Sequence, residues 1–161
     1  MRKAMLTTVA ALAAMPASAQ EATRPYLTQL AAEAGAQACL SLAREEGWRV
    51  AVAVTDRGGE LVHFTRMNDV FTRQQAFARL KAESAATTPV STKALAGAVY
   101  VDGSPLRGIE LIEGVATVEG GVPIALEGGY SVGGVGVSGT SPAEDGQCAR
   151  AASEAIATAL R

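Results

Sequence analysis

His63 is the only histidine in the chain, and that count excludes more chemistry than any motif supplies. A metal site built from several imidazoles is ruled out, and a serine–histidine–aspartate triad would have to form around this one ring. Arg66, Arg73 and Lys81 follow within twenty or so residues. Arginine meets a planar carboxylate with two parallel N–H bonds, so the three are candidates for holding an organic acid. Taken singly, each is also an ordinary solvated charge. Glu110 and Glu113 stand three apart, adjacent on a helical face, but two carboxylates alone hold a cation poorly and a solvated turn is the commoner case. Gly134-x-Gly136-x-x-Gly139 has the form of a dinucleotide fingerprint. That motif needs a second parallel strand carrying an acidic residue some ~20 residues later, and here only one helix follows. The glycines are read instead as allowing close strand packing and a turn. Backbone N–H groups at the helix start by Ser141 remain able to receive an anion.

The elements that must position these residues are read from periodicity. Thr23-Arg24-Pro25 opens a first helix, with Leu27, Leu30, Ala31, Ala34, Ala38 and Leu42 as its apolar stripe and Gly47 as its stop. The period then falls to two: Val50, Val52 and Val54 alternate with smaller residues, Asp56-Arg57-Gly58-Gly59 turns the chain, and Glu60 to Arg66 return as a second strand. Strict alternation there puts Leu61, His63 and Thr65 on one face and Val62, Phe64 and Arg66 on the other. A helix over Thr72 to Thr87 carries Ala76, Phe77 and Leu80 inward and ends before Pro89. A short helix near Ser91 to Leu95 and a turn over Ile109 to Ile112 follow. Three short strands are expected at Val115 to Val118, Pro123 to Leu126 and Val132 to Val137. Ser141 and Glu144 form a capping box that starts a last helix, whose buried stripe is Cys148, Ala152, Ala155, Ile156 and Ala159. Tight turns between strands imply antiparallel pairing, and helices must cover the sheet, so the fold class is α+β, a layered single domain.

Composition narrows the function. The formal net charge of −2 gives no electrostatic footprint for nucleic acid, and 4% aromatic residues provide no base-stacking surface. Arg2 and Lys3, a short apolar run to Ala14, Pro16 and then Ala17-Ser18-Ala19 match a secretory leader, so residues 1–19 are expected to be removed and 20–161 to form the domain, periplasmic or secreted. An oxidising compartment allows Cys39 and Cys148 to bridge. Each lies in an expected helix, and antiparallel first and last helices would bring them together. The sequence leaves a bridge and two buried thiols equally open.

Several segments resemble the HbpS/GlcG-type haem-binding family, which includes the C-terminal domain of PduO-type adenosyltransferases. The hairpin from Val50 through Asp56-Arg57-Gly58-Gly59 to Val62 is similar to its opening V-V-D-x-x-G-x-L-V pattern. Arg66-Met67-Asn68-Asp69 stands where the family often reads Arg-Met-Asp-Gly, Lys81-Ala82 follows in the next helix, and Gly133 to Gly139 with Glu144-Asp145 resembles its G-x-x-G-V-S-G strand and acidic helix start. The resemblance implies a five-stranded antiparallel sheet flanked by helices (profilin-like), a homo-oligomer, and haem or a related tetrapyrrole as ligand, with haem degradation or iron release as the associated role.

A haem iron needs only one protein ligand. Under the resemblance His63 Nε2 is the first candidate, set against the commoner strand histidine that packs on a helix and bonds a carbonyl. Met67 and Tyr100 are alternative axial groups, each also an ordinary packing residue. Arg66 and Lys81 would meet the propionates. A different class of function is a haem-free enzyme or accessory domain whose Arg66 and Lys81 hold a small organic acid. Neither reading calls for a membrane span or nucleic acid.

Overall fold

The computed structural model describes residues 25–161; the expected leader, residues 1–19, lies outside the described residues. Four helices and four strands follow one another: α1 Gln29–Glu45, β1 Ala51–Asp56, β2 Leu61–Arg66, α2 Thr72–Thr87, α3 Thr92–Val99, β3 Gly121–Ala125, β4 Ser131–Ser138 and α4 Pro142–Ala159. Short 3-10 turns occur at Ile109–Leu111 and Glu127–Gly129. The sheet is antiparallel throughout, in the order β2-β1-β4-β3. The fold is thus an α+β domain with helices on an antiparallel sheet, but the sheet has four strands and not five.

The missing strand is Val115 to Val118. These residues are irregular and pair with no strand. They are tied to helices instead: Ser84 Oγ donates to the Ala116 carbonyl at 3.4 Å, and the Thr117 side-chain hydroxyl meets that of Tyr100 at 2.7 Å. All four line a cleft, and their valine-rich, β-branched composition is why they read as a strand.

Glycine decides how the layers meet. On one face of β4 the backbone of α2 lies directly against Gly134 and Gly136: a Cβ on Gly136 would strike the Ala78 carbonyl and the Ala82 nitrogen, and one on Gly134 the Ala82 carbonyl. Only small side chains fit so near an approach. α2 accordingly buries Ala78, Ala82, Ser84, Ala85 and Ala86, and the expected inward set is corrected: Ala76 and Phe77 are exposed and Leu80 is half-buried. On the opposite face α1 and α4 cover Val50, Val52, Val54, Val135 and Val137. They too cross closely, Gly35 lying against Ile156 and the Ala152 carbonyl. α1 buries Ala32, Gly35, Ala36, Cys39 and Ala43, while Leu30 is 78% exposed. Thr28, not the Pro25 region, caps α1, its side chain accepting from the Ala31 N–H at 3.2 Å. Cys39 and Cys148 are joined by a disulfide across this crossing, Cα to Cα 4.7 Å.

Candidate functional site

The β1–β2 hairpin carries the first candidates, and a bulge redirects them. Val54 pairs with His63 but Thr55 pairs with Leu61, leaving Val62 as the extra residue. Paired residues share a face, so His63 points with Val54 toward the α1–α4 layer and Leu61 points with Thr55 to the other side. The strict alternation that grouped Leu61 with His63 is corrected by that one residue. Val62 packs in the same core as Val54. His63 Nε2, the nitrogen expected to bind iron, is enclosed and has no hydrogen-bond partner. As placed, that nitrogen faces no open cleft.

Beyond the end of β2 the chain turns at Asn68-Asp69, and Asp69 adopts φ +66°, the left-handed conformation that glycine takes most readily and aspartate tolerates. The departure from Arg-Met-Asp-Gly therefore changes the side chain while a glycine-like backbone is kept. Here Arg66, Met67 and Asp69 border an open cleft of about 600 Å³ with Arg44 from the end of α1 and Arg49 from the link just before β1. Leu40 and the half-buried Met67 give it an apolar side. None of the three guanidinium groups is in an ion pair among the described residues. Three cations against the one carboxylate of Asp69 make the cleft a receiver of anions. Neither Arg44 nor Arg49 is among the residues that the sequence motifs single out. The signal was there in the spacing, since both flank the turn from α1 into β1.

Lys81 is elsewhere. Its ammonium is buried between α2 and α4, 2.8 Å from Asp145 Oδ2 and 2.9 Å from the Val137 carbonyl. Asp145 Oδ1 accepts the Thr140 N–H at 3.1 Å. Burial pushes the Asp145 carboxyl above the ordinary aspartate range, with the Lys81 ammonium opposing. The pair lines a second cleft of about 370 Å³ with Gln74, Phe77, Leu80 and residues 115–118. Tyr100 ends α3, half-exposed, with the Arg107 guanidinium 5.6 Å from its ring. Of the residues expected to act together, the structure brings Arg66 and Met67 into one cleft; Lys81 belongs to the other, whose wall includes the Thr117 that Tyr100 bonds; His63 lines neither. Arg73 is exposed at the start of α2 and lines neither cleft. Glu110 bonds the Gly108 N–H at 2.8 Å, and the described residues hold no cluster of three metal-ligating side chains. No described helix is long and apolar enough to cross a membrane.

Residues 27–154 match the model of a family described as haem degrading protein, HbpS-like. Protein GlcG of Escherichia coli K12 is 33% identical over 116 residues, which cover 72% of this chain and 84% of that protein. Among solved structures, a double mutant of HbpS from Streptomyces reticuli superposes with a TM-score of 0.74 at 30% identity, covering 96% of this chain and 99% of that one. A PduOC:heme complex superposes with a TM-score of 0.74 at 28% identity, covering 81% and 94%.

Proposed function

This chain belongs to the family of HbpS-like haem degrading proteins, and from that premise we propose that it is an exported haem-binding protein whose Arg44–Arg49–Arg66 cleft receives the propionates. The observation that carries the proposal is the gathering of three guanidinium groups, none in an ion pair among the described residues and with only the Asp69 carboxylate in the cleft, beside the half-buried Met67. A propionate is a planar carboxylate, and an arginine fork meets it in two bonds. The Leu40 and Met67 side of the cleft suits the edge of a porphyrin, and a thioether is an accepted iron ligand. Bound there, haem would supply an iron centre with redox and ligand-binding chemistry. This chain's part is to anchor the carboxylates and offer Met67, while His63 is held back inside the hairpin. The solved complex of a relative with heme supports the ligand class.

Titration with hemin tests the reading. A Soret shift saturating at one haem per chain is expected, weakened in Arg66→Ala and altered in position by Met67→Leu. An unshifted spectrum at stoichiometric hemin rejects haem binding, and a shift lost in His63→Ala but kept in Met67→Leu moves the ligand to the histidine. Degradation of the ring, or release of its iron, is the further step for this site; decay of the Soret band under ascorbate and dioxygen would register the first.

Export to the periplasm or beyond is supported by the disulfide, which persists where thiols are oxidised. The mass of the recovered protein should show loss of residues 1–19. Self-association is supported by large apolar side chains left in water, Phe71 at 80% and Leu111 at 86% exposure among them. Light scattering should give a mass above that of one chain. Arg66 and Lys81 line different clefts, so a single acid held by both has no support.

A further inference from the structure

The second cleft has a floor that stability alone does not explain. Lys81 and Asp145 have only 6% and 3% of their side chains exposed. Replacing such a buried pair by apolar side chains is often neutral or stabilising, so its presence is poor evidence of a structural staple. The pair also faces a cavity of about 370 Å³ walled by Phe77, Leu80, Val118 and Pro142. An ammonium has three protons, and Lys81 directs two to Asp145 and the Val137 carbonyl. The Asp145 carboxylate accepts from Lys81 on Oδ2 and from the Thr140 N–H on Oδ1, with a further backbone bond from Gly139, and of its about four acceptor positions one is left. One donor and one acceptor thus remain side by side at the bottom of an apolar cleft.

Charge selects what can use them. The pair is neutral as a unit. The N-terminus of α4 next to it, which would favour an anion, is already occupied by Ser141, Glu144 and Asp145. A carboxylate ligand would meet Asp145 with no unspent positive charge. Ser138 and Gln74 are bonded to each other at 2.6 Å and add no charge.

We propose that this cleft is a binding site for a compact, uncharged molecule with an apolar body and an adjacent N–H and C=O, a cyclic amide (lactam) or its like. Its N–H donates to Asp145 and its C=O accepts from Lys81. The site is separate from the arginine-rimmed cleft and does not depend on the haem reading.

The test uses δ-valerolactam, its N-methyl derivative and valerate, each titrated into the 15N-labelled protein and followed by backbone amide shifts. Saturable shifts confined to residues 74–81, 115–118 and 138–145 are expected with δ-valerolactam. N-methylation, which removes the donor, should weaken binding at least about fivefold, and valerate should bind more weakly still. No saturable shift, equal binding of the N-methyl compound, or tighter binding of valerate would each overturn the proposal, and all three are read on the unaltered protein. Lys81→Met with Asp145→Leu, which swaps the pair for apolar groups of similar size, should abolish the preference for the N–H lactam and leave hemin uptake unchanged. Loss of hemin uptake in that variant would overturn the separation of the two sites.

Discussion

Cys39 and Cys148 sit with their Cα atoms 4.7 Å apart where α1 crosses α4, although 109 residues separate them along the chain. The crossing sets Gly35 of α1 against Ile156 and the Ala152 carbonyl of α4, with Ala32, Ala36 and Ala149 also buried in that core, so most of its side chains bury little area each. A cross-link closing nearly the whole domain compensates by restricting the unfolded chain. On the chain-entropy model it contributes about 4–5 kcal/mol. Urea unfolding with and without a reductant should show a fall of that order in the unfolding free energy, and Cys39→Ala with Cys148→Ala should reproduce it. Identical midpoints in both conditions would remove the disulfide from the stability argument.

Gly136 and Gly97 should respond in opposite directions to the same substitution. At Gly136 a methyl group has nowhere to go, because the backbone of α2 at Ala78 and Ala82 occupies its place. Gly136→Ala should cost about 3 kcal/mol or leave the chain unfolded. Gly97 lies inside α3 with nothing within 4 Å of an added Cβ. There alanine restricts the unfolded chain and favours the helix, for a gain of about 0.5–1 kcal/mol. Paired thermal melts decide the matter, and a stable Gly136→Ala would contradict the close approach of α2.

How much of this was legible in the sequence follows from those same glycines. Periodicity located every helix and the two strands of the first hairpin, and the capping box at Ser141 and Glu144 is formed as spacing required. The faces were another matter. A hydrophobic stripe follows the largest apolar side chains, so periodicity points Leu30, Phe77 and Leu80 inward. A helix drawn down onto Gly134 and Gly136 can place only alanine and serine at its contact, and its larger side chains are displaced to the flanks, where Phe77 and Leu80 wall a cleft. The antiparallel pairing is as the turns imply, but the face of one residue differs. One extra residue, Val62, reverses Leu61 relative to His63, and nothing in its type announces a bulge. The arginine cleft is assembled from three separate stretches, so only its Arg66-Met67 portion could be seen in one motif.

Asp69 gives a prediction that joins backbone strain to ligand charge. It holds φ +66° and is the one carboxylate in the cleft of Arg44, Arg49 and Arg66. Asp69→Gly relieves the left-handed conformation, for a gain of up to about 1 kcal/mol once the greater freedom of glycine in the unfolded chain is allowed for. It also removes a negative charge from an anion-receiving site. Both the melting temperature and hemin affinity should rise, and the affinity of the variant should fall more steeply with salt. A rise in stability without any change in hemin affinity would detach the ligand site from this cleft.

Glu144 sets the last prediction, through pH. Its carboxyl accepts the Thr140 hydroxyl, the Ser141 hydroxyl and the Ser141 N–H, and these bonds, that from Thr140 foremost, hold it below the ordinary glutamate value of 4.5. A carboxyl that is more acidic folded than unfolded favours the native state when ionised. Its contribution is therefore complete above about pH 4.5, the unfolded value, and is lost as pH falls through the lower native value. Glu144→Gln keeps an acceptor at the third position of the helix and so retains the capping geometry, but it has no proton to take up. Urea midpoints measured from pH 7 down to pH 3 should decline less steeply for Glu144→Gln than for the unaltered protein, the two curves running parallel above pH 5. Parallel curves through the acid range as well would mean that the bonds from Thr140 and Ser141 are not maintained in solution.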